Sequence, residues 1–243
     1  MHEHHPLVLQ DVSKLYGVGE RAVRAVDHAS LTVREGEIVA IIGPSGSGKT
    51  TLLSIAGCLL RPTSGSVRVL GEEVTRLGEL RLAGFRLRHV GFVFQSFNLL
   101  PSLSARENIE IALNLASRSG KVAWQRAGDL LEMLDLAHRE RNRPGDLSAG
   151  EQQRLAVARA LANRPDVILA DEPTANLDSR AGHAVMELMR SAVEAGEAKA
   201  LVVVTHDMRI IDVAHRVLTM EDGILSSDPA GAASTRSAAT GTA

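Results

Sequence analysis

The stretch Ile38-Val39-Ala40-Ile41-Ile42-Gly43-Pro44-Ser45-Gly46-Ser47-Gly48-Lys49-Thr50-Thr51 runs from an unbroken apolar segment, through a glycine-rich turn, into helix-forming sequence. The order strand, loop, helix is the setting in which Gly43 to Thr50 matches the phosphate-loop pattern. Its glycines let successive backbone amides wrap a polyphosphate, and the helix N-terminus behind them offers further donors to negative charge. Lys49 supplies a mobile cation for the β- and γ-phosphates, and the Thr50 hydroxyl a ligand for Mg2+. By itself the motif specifies a nucleoside triphosphate site and no more.

Upstream, residues 7–12, 25–33 and 37–42 are β-branched and apolar runs punctuated by Gly17, Gly19 and Gly36, which predicts short strands joined by turns. Residues 50–60 read as a helix. Between 104 and 138 the periodicity is helical: Ile109, Ala112, Leu113 and Ala116 share one face, and Leu130, Leu131, Leu134 and Leu136 with Trp124 form a second segment. These predict a helical lobe. A helix over 149–162 follows Pro144, and helix-forming sequence at 179–195 separates two fully apolar runs, 167–170 and 201–204. Continuous apolar strands alternating with helices imply a parallel sheet covered on both faces, so the fold class is α/β.

Composition sets the bounds. The 243 residues are enough for one domain carrying a smaller inserted lobe. One cysteine, Cys58, excludes an internal disulfide framework and reads as a buried thiol within its apolar surroundings. Twenty-seven basic against 29 acidic residues leave no electrostatic footprint for a nucleic-acid backbone, so no nucleic-acid partner is expected. No apolar stretch approaches the roughly 20 residues of a spanning helix, and the N-terminus lacks a leader pattern; the expectation is a chain neither spanning a membrane nor secreted. His2, His4 and His5 precede all periodic structure and read as a solvated tail. Residues 226–243 hold nothing large and apolar, which predicts a disordered tail, and no room is left for a regulatory domain after the last core strand.

Two further motifs add chemistry. Val167-Ile168-Leu169-Ala170 ends in Asp171-Glu172, two carboxylates at the C-terminal edge of a buried strand, where α/β sheets place ligands. Asp171 suits the Mg2+ shell, and Glu172 a general base that polarises the attacking water. Leu147-Ser148-Ala149-Gly150-Glu151-Gln152-Gln153-Arg154 stands before a helix, with Ser148 and the amides near Gly150 forming an anion site at its N-terminus. Ser148 and Glu151 also make a capping box, and both readings hold together.

That segment resembles the signature motif of ABC ATPases, and the resemblance extends over about residues 7–225. It implies an α/β fold with a P-loop NTPase core, an N-terminal antiparallel β subdomain and an inserted α-helical subdomain at about 96–160, in one domain spanning 1–225. It implies ATP and Mg2+ as ligands, held by residues 43–51 including Thr51. Tyr16 looks like the aromatic that stacks on adenine, and Gln95 like the glutamine that senses Mg2+ and the γ-phosphate. His206 looks like the histidine that contacts the γ-phosphate. Asn176-Leu177-Asp178 is similar to the loop that crosses to the opposite subunit. In that family two subunits pack head to tail, so Ser148 and Gly150 serve the partner's ATP and hydrolysis needs a dimer. Ala149 departs from the usual glycine; its methyl restricts the backbone without removing an amide.

Within that family, residues 39–65 and 90–109 look like the subgroup serving lipoprotein release, macrolide export, antimicrobial-peptide resistance and cell division. The implied partner is an integral membrane permease on a separate chain, with the ATPase peripheral on the cytoplasmic side of the inner membrane. A regulatory switch that gates an outer enzyme is the alternative role, as in the cell-division relatives. Residues 97–101, Phe-Asn-Leu-Leu-Pro, either line a groove for a short helix of the partner or pack in the core.

Overall fold

A computed structural model describes residues 5–19 and 22–227 of the chain. The elements are β1 (Leu7–Tyr16), β2 (Val23–Val33), β3 (Ile38–Ile42), α1 (Lys49–Ala56), β4 (Ser64–Val69), β5 (Glu72–Glu73), α2 (Glu79–His89), β6 (Val90–Val93), α3 (Ala105–Leu115) and α4 (Lys121–Met133). They continue with α5 (Ala149–Leu161), β7 (Val167–Asp171), α6 (Ser179–Glu194), β8 (Ala200–Thr205), β9 (Arg216–Glu221) and β10 (Ile224–Ser227). Two sheets result. One is antiparallel with order β2-β1-β4-β5; the other has order β10-β9-β3-β8-β7-β6 and is parallel except for the terminal hairpin.

The period-2 alternation of the central strands explains how one sheet serves two cores. Ile168 and Ala170 of β7, with Leu201 and Val203 of β8, face a core shared with α3, α4, α5 and α6. Val167 and Leu169, with Val202 and Val204, face a second core shared with α1 and the antiparallel sheet. A strand buried on both faces must be apolar at every position, which is why residues 167–170 and 201–204 are unbroken.

The structure corrects three details. The helix expected over 50–60 stops at Ala56, because Gly57 caps it and Cys58 turns left-handed at φ 59°. A Cβ on Gly57 would lie 1.8 Å from Phe92 Cζ, so the chain passes too close to β6 for a continued helix side chain. Trp124 lies within α4 as expected, 60% exposed, with its ring 4.6 Å from the Arg106 guanidinium. Leu134 and Leu136 are buried beyond the end of α4, the turn at Asp135 having φ 54°. Ser226 and Ser227, expected in a tail, pair with Thr219 and Leu218. Residues 228–243, with His2 and His4, lie outside the described residues.

Candidate nucleotide site

The loop from Gly43 to Gly48 joins the carboxyl end of β3 to α1, and its first and last glycines answer to close approaches. A Cβ on Gly43 would sit 2.0 Å from the Met220 carbonyl oxygen, and one on Gly48 2.0 Å from that of Ala25. Gly48 also needs φ 102°, a conformation open to glycine and strained for other residues. Lys49 is buried, and its Nζ donates to the carbonyls of Gly43 at 2.8 Å and Pro44 at 2.9 Å. The ammonium is thus folded over its own loop, in reach of whatever anion the loop holds.

Parallel pairing of β3 with β8, and β8 with β7, brings the strand ends together across more than 120 residues of chain. The Thr50 hydroxyl donates to Asp171 Oδ1 at 3.0 Å. Burial pushes the Asp171 carboxyl above its ordinary range, and the neighbouring Glu172 charge adds to that, against the opposing pull of Thr50 and Lys49. Such a carboxylate gains from a nearby cation. The donor set fits Mg2+, which takes one or two carboxylates and completes its shell with phosphate oxygens and water. Among the described residues no cluster of three or more His, Cys, Asp or Glu forms a self-sufficient metal cage.

Glu172 follows β7 with φ 46°. Its Oε2 accepts from Thr205 Oγ1 at 3.1 Å and from the His206 amide at 3.3 Å, and its Oε1 lies 3.0 Å from His206 Nδ1. Ala25, Ser45, Gly46, Gly48, Lys49, Thr50, Thr51, Gln95 and Glu172 surround one cleft of about 300 Å³. Asp171 joins it through Thr50, and His206 through Glu172. Ala25 was not legible as a site residue: it sits in an ordinary strand, and only its approach to Gly48 brings it there.

Gln95 follows β6 on a strapped loop. Its carbonyl accepts from Asn176 Nδ2 at 2.7 Å. Phe97 and Asn98 are both left-handed, and their carbonyls accept from the guanidinium of Arg159 on α5. Asn108 of α3, fully buried, closes the next turn: its Oδ1 accepts from the Leu100 amide at 2.8 Å while its Nδ2 reaches the carbonyls of Leu100, Leu103 and Ser104. Asn98 lines a groove of about 420 Å³ with Leu59, Arg86, Phe92, Phe94 and Arg159, whereas Leu99 packs on the helical core. The two readings of residues 97–101 are therefore divided between neighbouring side chains.

Four expected site residues stand apart from the cleft. Tyr16 ends β1, 45% exposed, with Lys14 Nζ 5.4 Å from its ring centre. Ser148 caps α5, accepting from the Glu151 amide at 3.3 Å while Glu151 Oε2 accepts from the Ser148 amide at 2.8 Å. That backbone bond, aided by the Ser148 hydroxyl and Arg139, holds Glu151 down to about 2. A Cβ on Gly150 would meet nothing nearer than Ala181 Cβ at 3.8 Å, so the helix entrance is open. Asp178 caps α6, its Oδ1 accepting from the amides of Arg180 and Ala181, each at 2.9 Å.

A parallel sheet with a phosphate loop after one strand, an Asp-Glu pair after another and a capped helix entrance outside the cleft defines an ATP-binding cassette of the P-loop class. A sequence model of the ABC transporter family matches residues 26–175, and the chain belongs to that family as an ATP-binding domain. It is 53% identical over 215 residues, 88% of this chain and 91% of the relative, to an uncharacterized ABC transporter ATP-binding protein of Thermotoga maritima. It is 46% identical to the macrolide export ATP-binding/permease protein MacB of Rhodopseudomonas palustris, covering 90% of this chain and 33% of that one. The chain thus spans about a third of MacB. The solved dimer of the ATP-binding cassette MJ0796 in a post-hydrolysis state, bound to ADP and Pi, matches with a TM-score of 0.82 at 41% identity, over 91% of this chain and 98% of that one. Its source is Methanocaldococcus jannaschii.

Proposed function

We propose that this chain is the ATP-hydrolysing subunit of an ABC transporter complex and energises a membrane permease carried on a separate chain. The observation that carries this reading is the convergence of Lys49, Thr50, Asp171, Gln95 and Glu172 on one cleft, with Thr205 and His206 behind the carboxylate. Residues 43–51 bind the phosphates of ATP, and Tyr16 stacks on the adenine. Thr50, Asp171 and Gln95 hold Mg2+, which when bound neutralises charge on the β- and γ-phosphates. Glu172 takes the proton of the attacking water, and His206 contacts the γ-phosphate.

Two copies pack head to tail, so that Ser148, Gly150 and Asp178 of one copy complete the other's site. The groove beside Asn98 receives a short helix of the permease, since Gln95 and the groove share one strapped loop. Among the described residues no helix is long and apolar enough to cross a membrane, in keeping with attachment to the cytoplasmic face of the inner membrane through that partner. MacB is an ATP-binding/permease protein, and this chain matches only a third of it, which favours a permease in the unmatched part of MacB.

Phosphate release from MgATP by the purified chain tests the reading. Turnover that is lost in Glu172→Gln while ATP binding persists supports it. A chain that binds ATP and yields no phosphate, alone or with membranes bearing its permease, overturns it.

A further inference from the structure

We propose that Thr205 is a positioning residue for hydrolysis: its hydroxyl aims the Glu172 carboxylate at the attacking water. The inference rests on the ATPase reading above and adds a residue to it. Thr205 is the last residue of β8 and is fully buried. Its Oγ1 accepts from the Asp207 amide at 2.9 Å and donates to Glu172 Oε2 at 3.1 Å. A hydroxyl carries a single proton. With the Asp207 N–H occupying its acceptor side, that proton is committed to Glu172.

Glu172 needs such a fixture. At φ 46° it stands in a region that non-glycine residues adopt only when their surroundings over-determine it. The main chain is pinned by Glu172 N donating to the Val204 carbonyl at 2.9 Å and by the Ala175 amide donating to the Glu172 carbonyl at 3.2 Å. Neither bond fixes the carboxylate. Three donors do: Thr205 Oγ1, the His206 amide and the His206 ring. The ring is 60% exposed and, on the proposed mechanism, turns to the γ-phosphate; the amide is long at 3.3 Å. Thr205 is the donor that is both buried and itself held, so it keeps the carboxylate directed when His206 leaves. A base displaced by about 1 Å from its water loses rate steeply, with little effect on substrate binding.

The competing explanation is local: a hydroxyl accepting from an amide two residues on is an ordinary way to end a strand. Steady-state kinetics of Thr205→Val, Thr205→Ala and Thr205→Ser, each in the wild-type and Glu172→Ala backgrounds, separate the two. The expected result is kcat reduced about tenfold in Val and Ala, with KM and the ATP Kd within about twofold, and kcat restored within about twofold in Ser. In Glu172→Ala, Thr205→Val then changes the residual rate by no more than about twofold, because its effect runs through the missing carboxylate. Unchanged kcat in folded Val and Ala variants overturns the inference, as does an equal loss in both backgrounds or a rise in KM alone. A Glu172→Ala chain as active as wild type overturns the base assignment instead, and the Thr205 role falls with it.

Discussion

On the proposed function, Lys49 and Glu172 define the chemistry at the scale of single side chains, and they answer to different measurements. Lys49 meets charge present in both bound substrate and transition state, so Lys49→Ala is expected to weaken ATP binding at least tenfold, checked by titration with a fluorescent nucleotide. Glu172 acts on a proton that moves only during reaction; Glu172→Gln is expected to lower kcat by about 10² to 10⁴ with ATP affinity retained, checked by phosphate release and by the same titration. Cys58 illustrates the opposite case, a nucleophile silenced by its surroundings. Burial pushes its thiol up to about 11, against the weaker downward pull of Arg86. The thiolate is the reactive form, so at pH 8 the native chain is expected to resist iodoacetamide and the urea-unfolded chain to react, read as a mass increase. What was legible at this scale follows from locality. Residues 43–51 and 171–172 carry their chemistry in consecutive positions, whereas Asn108, Arg159 and Thr205 act through partners 8, 61 to 62 and 33 residues away, set by packing that no short pattern encodes.

Capping decides how the elements present these groups. Ser148 and Glu151 form a reciprocal box at the start of α5, the helix whose open end is proposed to meet the partner's ATP. Glu151 is held at about 2 in the folded chain, below the ordinary 4.5. A depressed carboxyl stabilises the fold above its unfolded value, and that contribution disappears as pH falls through the folded value. The stability advantage of wild type over Glu151→Gln is therefore expected to be flat above about pH 5 and to shrink progressively toward pH 2, measured by urea unfolding at each pH. The box was readable because its two residues are three apart. Trp124 falls in its expected helical segment, but helical spacing cannot say whether such a residue makes a core contact or, as here, covers an arginine, Arg106. The end of α1 likewise depends on Phe92, 35 residues on, occupying the space beside Gly57.

For the molecule as a whole, the position of the signature helix matters most. The cleft that gathers Lys49, Thr50, Gln95 and Glu172 is not lined by Ser148 or Gly150, although those residues offer an uncrowded helix entrance to an anion. Within one copy Ser148 and Gly150 thus stand apart from the cleft, and in the head-to-tail pairing proposed above a second copy brings them to it. This makes a prediction that mixes two inactive chains. In that proposed arrangement, Lys49→Ala spoils the site in which a copy binds phosphate, whereas Ser148→Arg spoils only the site that the copy completes for its partner. In a heterodimer of the two variants, both defects fall on one site, and the other combines an intact Lys49 with an intact Ser148. Random pairing of equal amounts yields heterodimers for half the population, each with one working site of two, so recovery of up to about a quarter of wild-type turnover is expected from the mixture. The measurement is phosphate release from each variant alone and from the pair after mixing. If the mixture stays as inactive as its components, each copy uses its own signature helix or none, and the shared-site arrangement is wrong even with the ATPase assignment intact.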